Sequence, residues 1–217
     1  MSFTPEQIQA ALKHLKRSDP VMKTLIRDVG PFTLRPNRNH FRMLMRSIIS
    51  QQISTKAARS IRLRVESLVK PKTPTAKNFS QLSEETLRSA GLSPQKTRYL
   101  RDLCEHVLEG RLRLRRLENL PDEEVIAELI QVTGIGRWTA QMFLMFSLGR
   151  LDILPHDDLG LRSAIRHLYG LDELPDKEAC HQIAEPWRPY ATVASWYCWR
   201  SGDLEKNEKT PAAEYPV

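Results

Sequence analysis

The sequence predicts an all-α protein, and three observations carry that prediction. Apolar residues recur at helical spacing through most of the chain, alternating strand-type runs are nearly absent, and residues that start and stop helices punctuate it at short intervals. The pattern amounts to roughly ten short helices. With 217 residues, 41% of them hydrophobic, the chain is long enough for one or two domains with a sizeable core.

Thr4 is placed to cap a helix beginning at Pro5, with Glu6 and Gln7 in its first turn and Ile8, Leu12 and Leu15 along one face. Ser18-Asp19-Pro20 breaks it. A second helix over 21–29 stops at Gly30-Pro31, and 31–39 is a loop. From Phe41 an apolar pattern runs through Met45, Ile48, Ile49, Ile53 and Ala57 to Val65 and Leu68, as two helices joined near Ser50-Gln51-Gln52. Residues 70–79, rich in Pro, Thr and Lys, are a loop. A helix over 83–90 has the capped start Ser83-Glu84-Glu85-Thr86, and Gly91-Leu92-Ser93-Pro94 breaks it. The next helix, 95–109, carries Tyr99, Leu103 and Val107. Pro121-Asp122-Glu123-Glu124 opens another. Further helices cover 158–169 and 176–184, and an aromatic-rich one covers 189–200. Residues 203–217 are polar and expected to fray.

The net charge of +7 favours a polyanionic partner, nucleic acid ahead of an anionic membrane, although many basic enzymes bind neither. The N-terminus has no apolar core of signal-peptide type, and no stretch approaches the ~18 apolar residues of a membrane span. The expected location is the cytoplasm, with the nucleoid, in a bacterium, or the nucleus in a eukaryote. Cys104, Cys180 and Cys198 are odd in number and far apart, which suits buried reduced thiols rather than disulfides, zinc or an iron–sulfur cluster.

Residues 125–158 carry the densest signal. A helical stretch runs into Thr133-Gly134-Ile135-Gly136-Arg137, a second apolar stretch follows, and then come Pro155-His156-Asp157-Asp158. The glycines leave no side chain in the way, and their N–H groups, with the positive end of the following helix, make a ready anion site. A hairpin of this kind suits a nucleic-acid phosphate, and an acid just beyond suits chemistry on the adjoining sugar. A plain tight turn followed by helix-capping aspartates is the alternative.

This stretch resembles the helix–hairpin–helix DNA glycosylase superfamily, and within it the alkylation-repair, 3-methyladenine DNA glycosylase II branch. Further segments are similar to that family: Ser47–Ser54 to its DNA wedge, Gly91–Lys96 to its mid-domain turn, and Trp187–Tyr190 with Trp196–Arg200 to its carboxy-terminal helix. The likeness runs from about residue 40 to 201. It implies a single compact catalytic core of two helical lobes flanking a cleft. Lobe 1 is about 1–40 plus 165–217; lobe 2 is about 41–164 and contains the hairpin, 125–149. No amino-terminal β-rich domain is expected, because the chain starts directly with helices.

The resemblance implies a monofunctional enzyme that flips out and hydrolytically excises alkylated purines in base excision repair. Bifunctional relatives carry a Schiff-base lysine where this chain has Trp138, so water is the expected nucleophile and strand cleavage is not expected. An alkylated purine is already cationic and leaves readily, so one carboxylate beneath C1′ can stabilise the oxocarbenium-like sugar and orient the water. Asp158 and Asp157 both lie within about 60° of the Leu161–Ile165–Leu168 face, so periodicity does not choose between them. The resemblance favours Asp158, through the apolar Leu161 three residues on, and leaves Asp157 as a cap or supporting group.

A flipped base leaves a gap that an inserted side chain fills. The resemblance places that wedge at Gln51, Gln52 and Ile53, with Gln52 where relatives often have Leu. An exposed Gln at a helix junction is the bland alternative. Trp138, Trp187, Tyr190, Trp196 and Trp199 are candidates for an aromatic pocket that attracts a cationic base, with Trp138 and Trp199 foremost; aromatics at helical spacing are also common core. Phosphate contacts fall to Gly134, Gly136, Arg137 and Thr139. No cofactor is required, although family hairpins often hold a sodium, potassium or magnesium ion on main-chain carbonyls, here near Gln131, Thr133 and Ile135. The run Arg111, Arg113, Arg115, Arg116 either tracks a DNA backbone or forms a solvated face, and His156 is either a phosphate or water contact or a plain loop residue. The expected partner is double-stranded DNA with alkylated bases, bound by a monomer without membrane association. A glycosylase for deaminated or oxidised bases and a non-catalytic DNA-binding module are the competing functions.

Overall fold

The computed structural model describes residues 3–205, which form α-helices and short helical turns with no strand among them. The α-helices are α1 (Pro5–Ser18), α2 (Pro20–Val29), α3 (His40–Ser50), α4 (Thr55–Ser67), α5 (Ala76–Ser80), α6 (Glu84–Ser89), α7 (Pro94–Leu108), α8 (Asp122–Leu129), α9 (Arg137–Phe143), α10 (Leu159–Leu168), α11 (Lys177–Ala184) and α12 (Ala191–Glu205). Local chemistry sets most of their starts. Thr4 and Gln7 form a reciprocal capping box ahead of α1. Asp19, Ser54, Ser83, Ser93, Asp158 and Asp176 each accept a backbone N–H from the first turn of the helix that follows.

The chain divides into two compact units, one made of the segments up to Pro36 and from Leu144 onward, the other of Asn37–Phe143. In the first, α12 is the central element: residues 191–199 are buried on every side, as befits a helix apolar around its whole circumference. Helices α2 and α10 pack on it, burying Met22, Ile26, Leu161 and Ile165, and α1 packs on α2, burying Leu15. A buried polar knot holds this unit together. Asp19 Oδ1 caps α2 by accepting from Val21 N at 2.8 Å and Met22 N at 3.1 Å, while its Oδ2 accepts from Trp187 Nε1 at 2.9 Å and from the Tyr169 hydroxyl. Burial and that bond to Asp19 together push the Tyr169 phenol well above its usual range.

In the second unit, α3 is the buried element, with His40, Phe41, Met43, Leu44, Met45, Ser47, Ile48 and Ile49 all enclosed. It packs on α4, α7 and α9. Glu66 of α4 binds Arg42 and Arg46 of α3, at 2.5 and 2.6 Å. Burial alone would raise the Glu66 pKa, but the two guanidiniums outweigh it and hold the carboxyl at about 2.

Several boundaries differ from the sequence expectation. The segment 70–79 is not all loop: Thr75 caps α5, which buries Ala76 and Phe79, and five residues are too few for a periodic signal. The polar tail begins later than residue 203, since α12 continues to Glu205; the rest of that tail lies outside the described residues. The second division between units falls at Leu144 rather than near 165. There α9 passes directly into a π-helical turn, Leu144–Leu148, and the chain beyond it is bonded to α12, which draws 144–164 into the terminal-segment unit.

Asp19→Ala removes a cap and strands two buried donors, so it is expected to cost about 3 kcal/mol in chemical denaturation; a loss under about 1 kcal/mol would contradict the knot's role. Glu66 has a depressed folded pKa, so its stabilisation is present above pH 4.5 and fades as pH falls toward about 2. Glu66→Gln should therefore lower stability at neutral pH and flatten the acid limb of a stability–pH curve.

Candidate active site

Asp158 closes the loop that follows the π-helical turn, and α12 grips that loop at both ends. At its start, Thr192 N donates to Leu151 O at 3.0 Å, Thr192 Oγ1 donates to Arg150 O at 2.7 Å, and Ile153 N donates to Thr192 Oγ1 at 3.0 Å. Asp152 accepts from Ala191 N at 3.2 Å and Arg188 at 3.3 Å. At its end, Trp199 Nε1 donates to Asp158 Oδ1 at 2.8 Å. Thr192 and Trp199 are seven residues apart and so share one face of α12.

Asp158 is itself the N-cap of α10, its Oδ1 also accepting Leu161 N at 2.7 Å, and the residue is only 9% exposed. Asp157 is turned outward, its side chain 62% exposed and 3.4 Å from His156 Nε2. The capping role expected of Asp157 thus belongs to Asp158, because the helix begins one residue later. Of the two, only Asp158 combines enclosure with neutral donors fixed on its oxygen, the arrangement a carboxylate needs to remain oriented away from bulk water. A Cβ at Gly160 would lie 3.1 Å from that same oxygen and 3.5 Å from the Trp199 ring. His156 is not an exposed loop residue; it is buried against the His181 ring, with centroids 5.0 Å apart.

The hairpin between α8 and α9 is tied into the middle-segment unit at three points. Val132 and Ile135 are buried, and Ile135 N bonds back to Val132 O at 3.0 Å. Gly134 takes φ +85°, and a Cβ there would lie 2.2–2.6 Å from the Tyr99 ring of α7, so both conformation and space demand glycine. Thr133 N donates to Asp102 of α7 at 2.6 Å, and Gln51 Nε2 donates to Gly134 O at 2.8 Å. The Gly134 and Gly136 amides donate to no carbonyl among the described residues, and the carbonyls of Gln131, Thr133 and Ile135 accept no hydrogen bond there. Those amides suit an anion, and those hard oxygens fit a small cation.

Two phosphate candidates stand differently from expectation. Thr139 is 3% exposed, since the phase of α9 turns it inward. Arg137 forms a two-pronged pair with Glu123 at 2.9 and 2.5 Å; the pair is exposed and weakly stabilising. Among the wedge residues, Gln52 and Ile53 are exposed at the turn between α3 and α4, whereas Gln51 faces the hairpin and braces it.

The aromatic candidates also separate. Trp199 stands at the acid, its ring 5.8 Å from Phe146, and Trp138 is half-buried on the first turn of α9. Trp187 and Trp196 are core residues rather than pocket walls: Trp187 is spent on Asp19, and Trp196 packs edge-on against Phe32 and Tyr197. Tyr190 lies beside His14. Arg111, Arg113 and Arg116 line a shallow cavity of about 230 Å³ with Glu128, and Arg115 is exposed. All three cysteines are free and buried, and burial pushes the Cys104 thiol up to about 12.

Sequence reasoning missed the role of α7. Tyr99 was expected to share an apolar face with Leu103 and Val107. The buried face is instead Thr97, Leu100, Leu103, Cys104 and His106, which leaves Lys96, Tyr99 and Asp102 facing the α3–α4 turn and the hairpin. Their three-residue spacing was the available signal.

An all-helical chain with a glycine hairpin of open amides and an enclosed, tryptophan-held aspartate defines a DNA-repair protein of the helix–hairpin–helix class. The chain belongs to the HhH-GPD superfamily of base excision DNA repair proteins, whose family pattern it matches over residues 45–189. It is similar to two Schizosaccharomyces pombe proteins. One is alkylbase DNA glycosidase-like protein mag2, at 32% identity over 90% of this chain and 94% of the relative. The other is DNA-3-methyladenine glycosylase 1, at 35% over 88% and 86%. Among solved structures it resembles the S. pombe 3-methyladenine DNA glycosylase in complex with abasic DNA, with TM-score 0.83, 34% identity, and 92% and 100% of the two chains covered. A Bacillus halodurans DNA-3-methyladenine glycosidase gives TM-score 0.80 at 38% identity, over 99% and 97%.

Gly134→Ala must displace the Tyr99 ring and strain the backbone. DNA binding in a fluorescence-anisotropy titration is expected to weaken at least tenfold, with stability lowered by more than about 1 kcal/mol; wild-type affinity would show that the close approach is dispensable.

Proposed function

We propose that the protein is a monofunctional DNA glycosylase that flips out and hydrolytically removes alkylated purines, of 3-methyladenine and 7-methylguanine type, from double-stranded DNA. The observation that carries this reading is Asp158: an enclosed carboxylate oriented by Trp199 Nε1 and the Leu161 amide. The names of the similar proteins support the lesion class.

The hairpin holds the DNA backbone by offering the Gly134 and Gly136 amides to a phosphate oxygen. Within the alkylated nucleotide, the bond between C1′ and the purine nitrogen breaks and its electron pair goes to the cationic base, which leaves neutral. The Asp158 carboxylate stabilises the positive charge left on the sugar. Water then attacks C1′ and gives its proton to that carboxylate or to solvent, yielding an abasic site. Trp138 stands where an amine would be needed for a Schiff base, so the sugar–phosphate strand stays intact. Trp199 and Trp138 are the aromatic groups assigned to the cationic base. A sodium, potassium or magnesium ion on the Gln131, Thr133 and Ile135 carbonyls would add positive charge beside the bound phosphate; no chemical step requires it. The protein acts as a monomer.

Asp158→Asn keeps an oxygen for Leu161 N and Trp199 Nε1 but removes the charge. Release of free 3-methyladenine from methylated duplex is expected to fall at least 100-fold, with binding to abasic-site DNA retained. Undiminished release would overturn the assignment, and strand nicking by the wild type without alkali would overturn the monofunctional reading.

A further inference from the structure

The turn after α3 concentrates backbone strain. Gln52 has φ 54°, and it is the one non-glycine residue with positive φ among the described residues. That conformation costs an L residue roughly 1–2 kcal/mol, so its surroundings must hold it. The hold comes from α7. Lys96, in the first turn of α7, donates from Nζ to Ile49 O at 2.7 Å and to Gln51 O at 2.8 Å, at the end of α3. Ile49 lies in the last turn of α3 and Gln51 is its C-cap, so neither carbonyl has an intrahelical partner, and a cation there also meets the negative end of the helix dipole. The Gln51 side chain continues the path to Gly134 O. One turn beyond Lys96, Tyr99 packs under Gly134, and one further on, Asp102 holds Thr133 N.

We propose that Lys96 is a positioning residue for base eversion: it clamps the strained Gln52–Ile53 turn to the same helix face that carries the hairpin. Resting on the glycosylase reading above, the clamp fixes how far from the gripped phosphate the Gln52 and Ile53 side chains enter the duplex. Partial burial lowers the Lys96 pKa, as expected for an ammonium withdrawn from water to serve main-chain oxygens rather than solvent or DNA. A charged donor makes these bonds stronger than a neutral one would.

The test is Lys96→Met, which keeps the stem and loses both bonds. Excision from methylated duplex is expected to fall about tenfold. Excision from the same methylated strand without its complement should be unchanged, because there is no stacked duplex to open. The salt dependence of binding to undamaged duplex should stay the same, whereas a lost phosphate contact would reduce its slope by about 0.9. Lys96→Arg should restore most of the duplex activity, and Gln51→Ala, which cuts the next link, should reproduce the duplex-selective defect. Fluorescence of 2-aminopurine in an undamaged duplex reports unstacking without any base release; its rise on binding should be smaller for Lys96→Met than for the wild type. Equal loss on both substrates, no loss on either, a reduced salt slope or an undiminished fluorescence rise overturns the clamp. Absence of base release by the wild type, with the fluorescence difference intact, overturns the glycosylase reading instead.

Discussion

A carboxylate can be withdrawn from water only if fixed donors replace its hydration, and Asp158 meets that condition with two neutral N–H groups on one oxygen. Neither of these two donors carries charge, so they orient the carboxylate without neutralising it. The rest of the terminal-segment unit serves that arrangement. Residues 191–199 of α12 are buried on every side, which fixes the rotation of the helix there, and that rotation sets the Trp199 indole and the Thr192 hydroxyl along one line. The loop from Arg150 to Asp158 is thus held by a rigid element at both ends. The Asp19–Tyr169–Trp187 knot ties α2 to the segments on either side of α11.

In the middle-segment unit, contact distance rather than charge is the governing constraint. Gly134 sits so close to the Tyr99 ring that no larger residue fits, and neighbouring hairpin atoms are bonded from Asp102 and Gln51. The hairpin is therefore presented by α7, and its Gly134 and Gly136 amides donate to no carbonyl among the described residues. The same helix supports the α3–α4 turn through Lys96, so two features distant in sequence share a common foundation.

Much of the fold was legible because it is encoded locally. Thr4 at the head of the first helix, Ser83 before Glu84 and the glycines of 134–136 act within a few residues of themselves, so reading them needs no knowledge of packing. The all-helical class followed from such signals, and the family from the resemblance of the 125–158 stretch; periodicity left Asp157 and Asp158 undivided, and it is Asp158 that is enclosed. What could not be read depends on partners far along the chain. The indoles of Trp187 and Trp199 look alike in sequence, yet one is fastened to Asp19 and the other to Asp158. Thr139 follows the hairpin directly, and only the packing of α9 reveals that it faces inward. The π-helical turn at 144–148 also breaks the 3.6-residue rhythm, so periodicity carried across it misplaces what lies beyond.

Gly160 lies in the first turn of α10 with an ordinary helical requirement and no unusual backbone angle. By helix propensity, alanine would be better there by about 1 kcal/mol. The 3.1 Å approach to Asp158 Oδ1 makes that replacement unwelcome, because a methyl group would wedge beside the oxygen on which two donors converge. The helix thus forgoes intrinsic stability at one position so that the floor beneath the acid stays thin. Thermostabilising redesign guided by propensity alone would choose this position early and would crowd the Asp158 carboxylate in doing so.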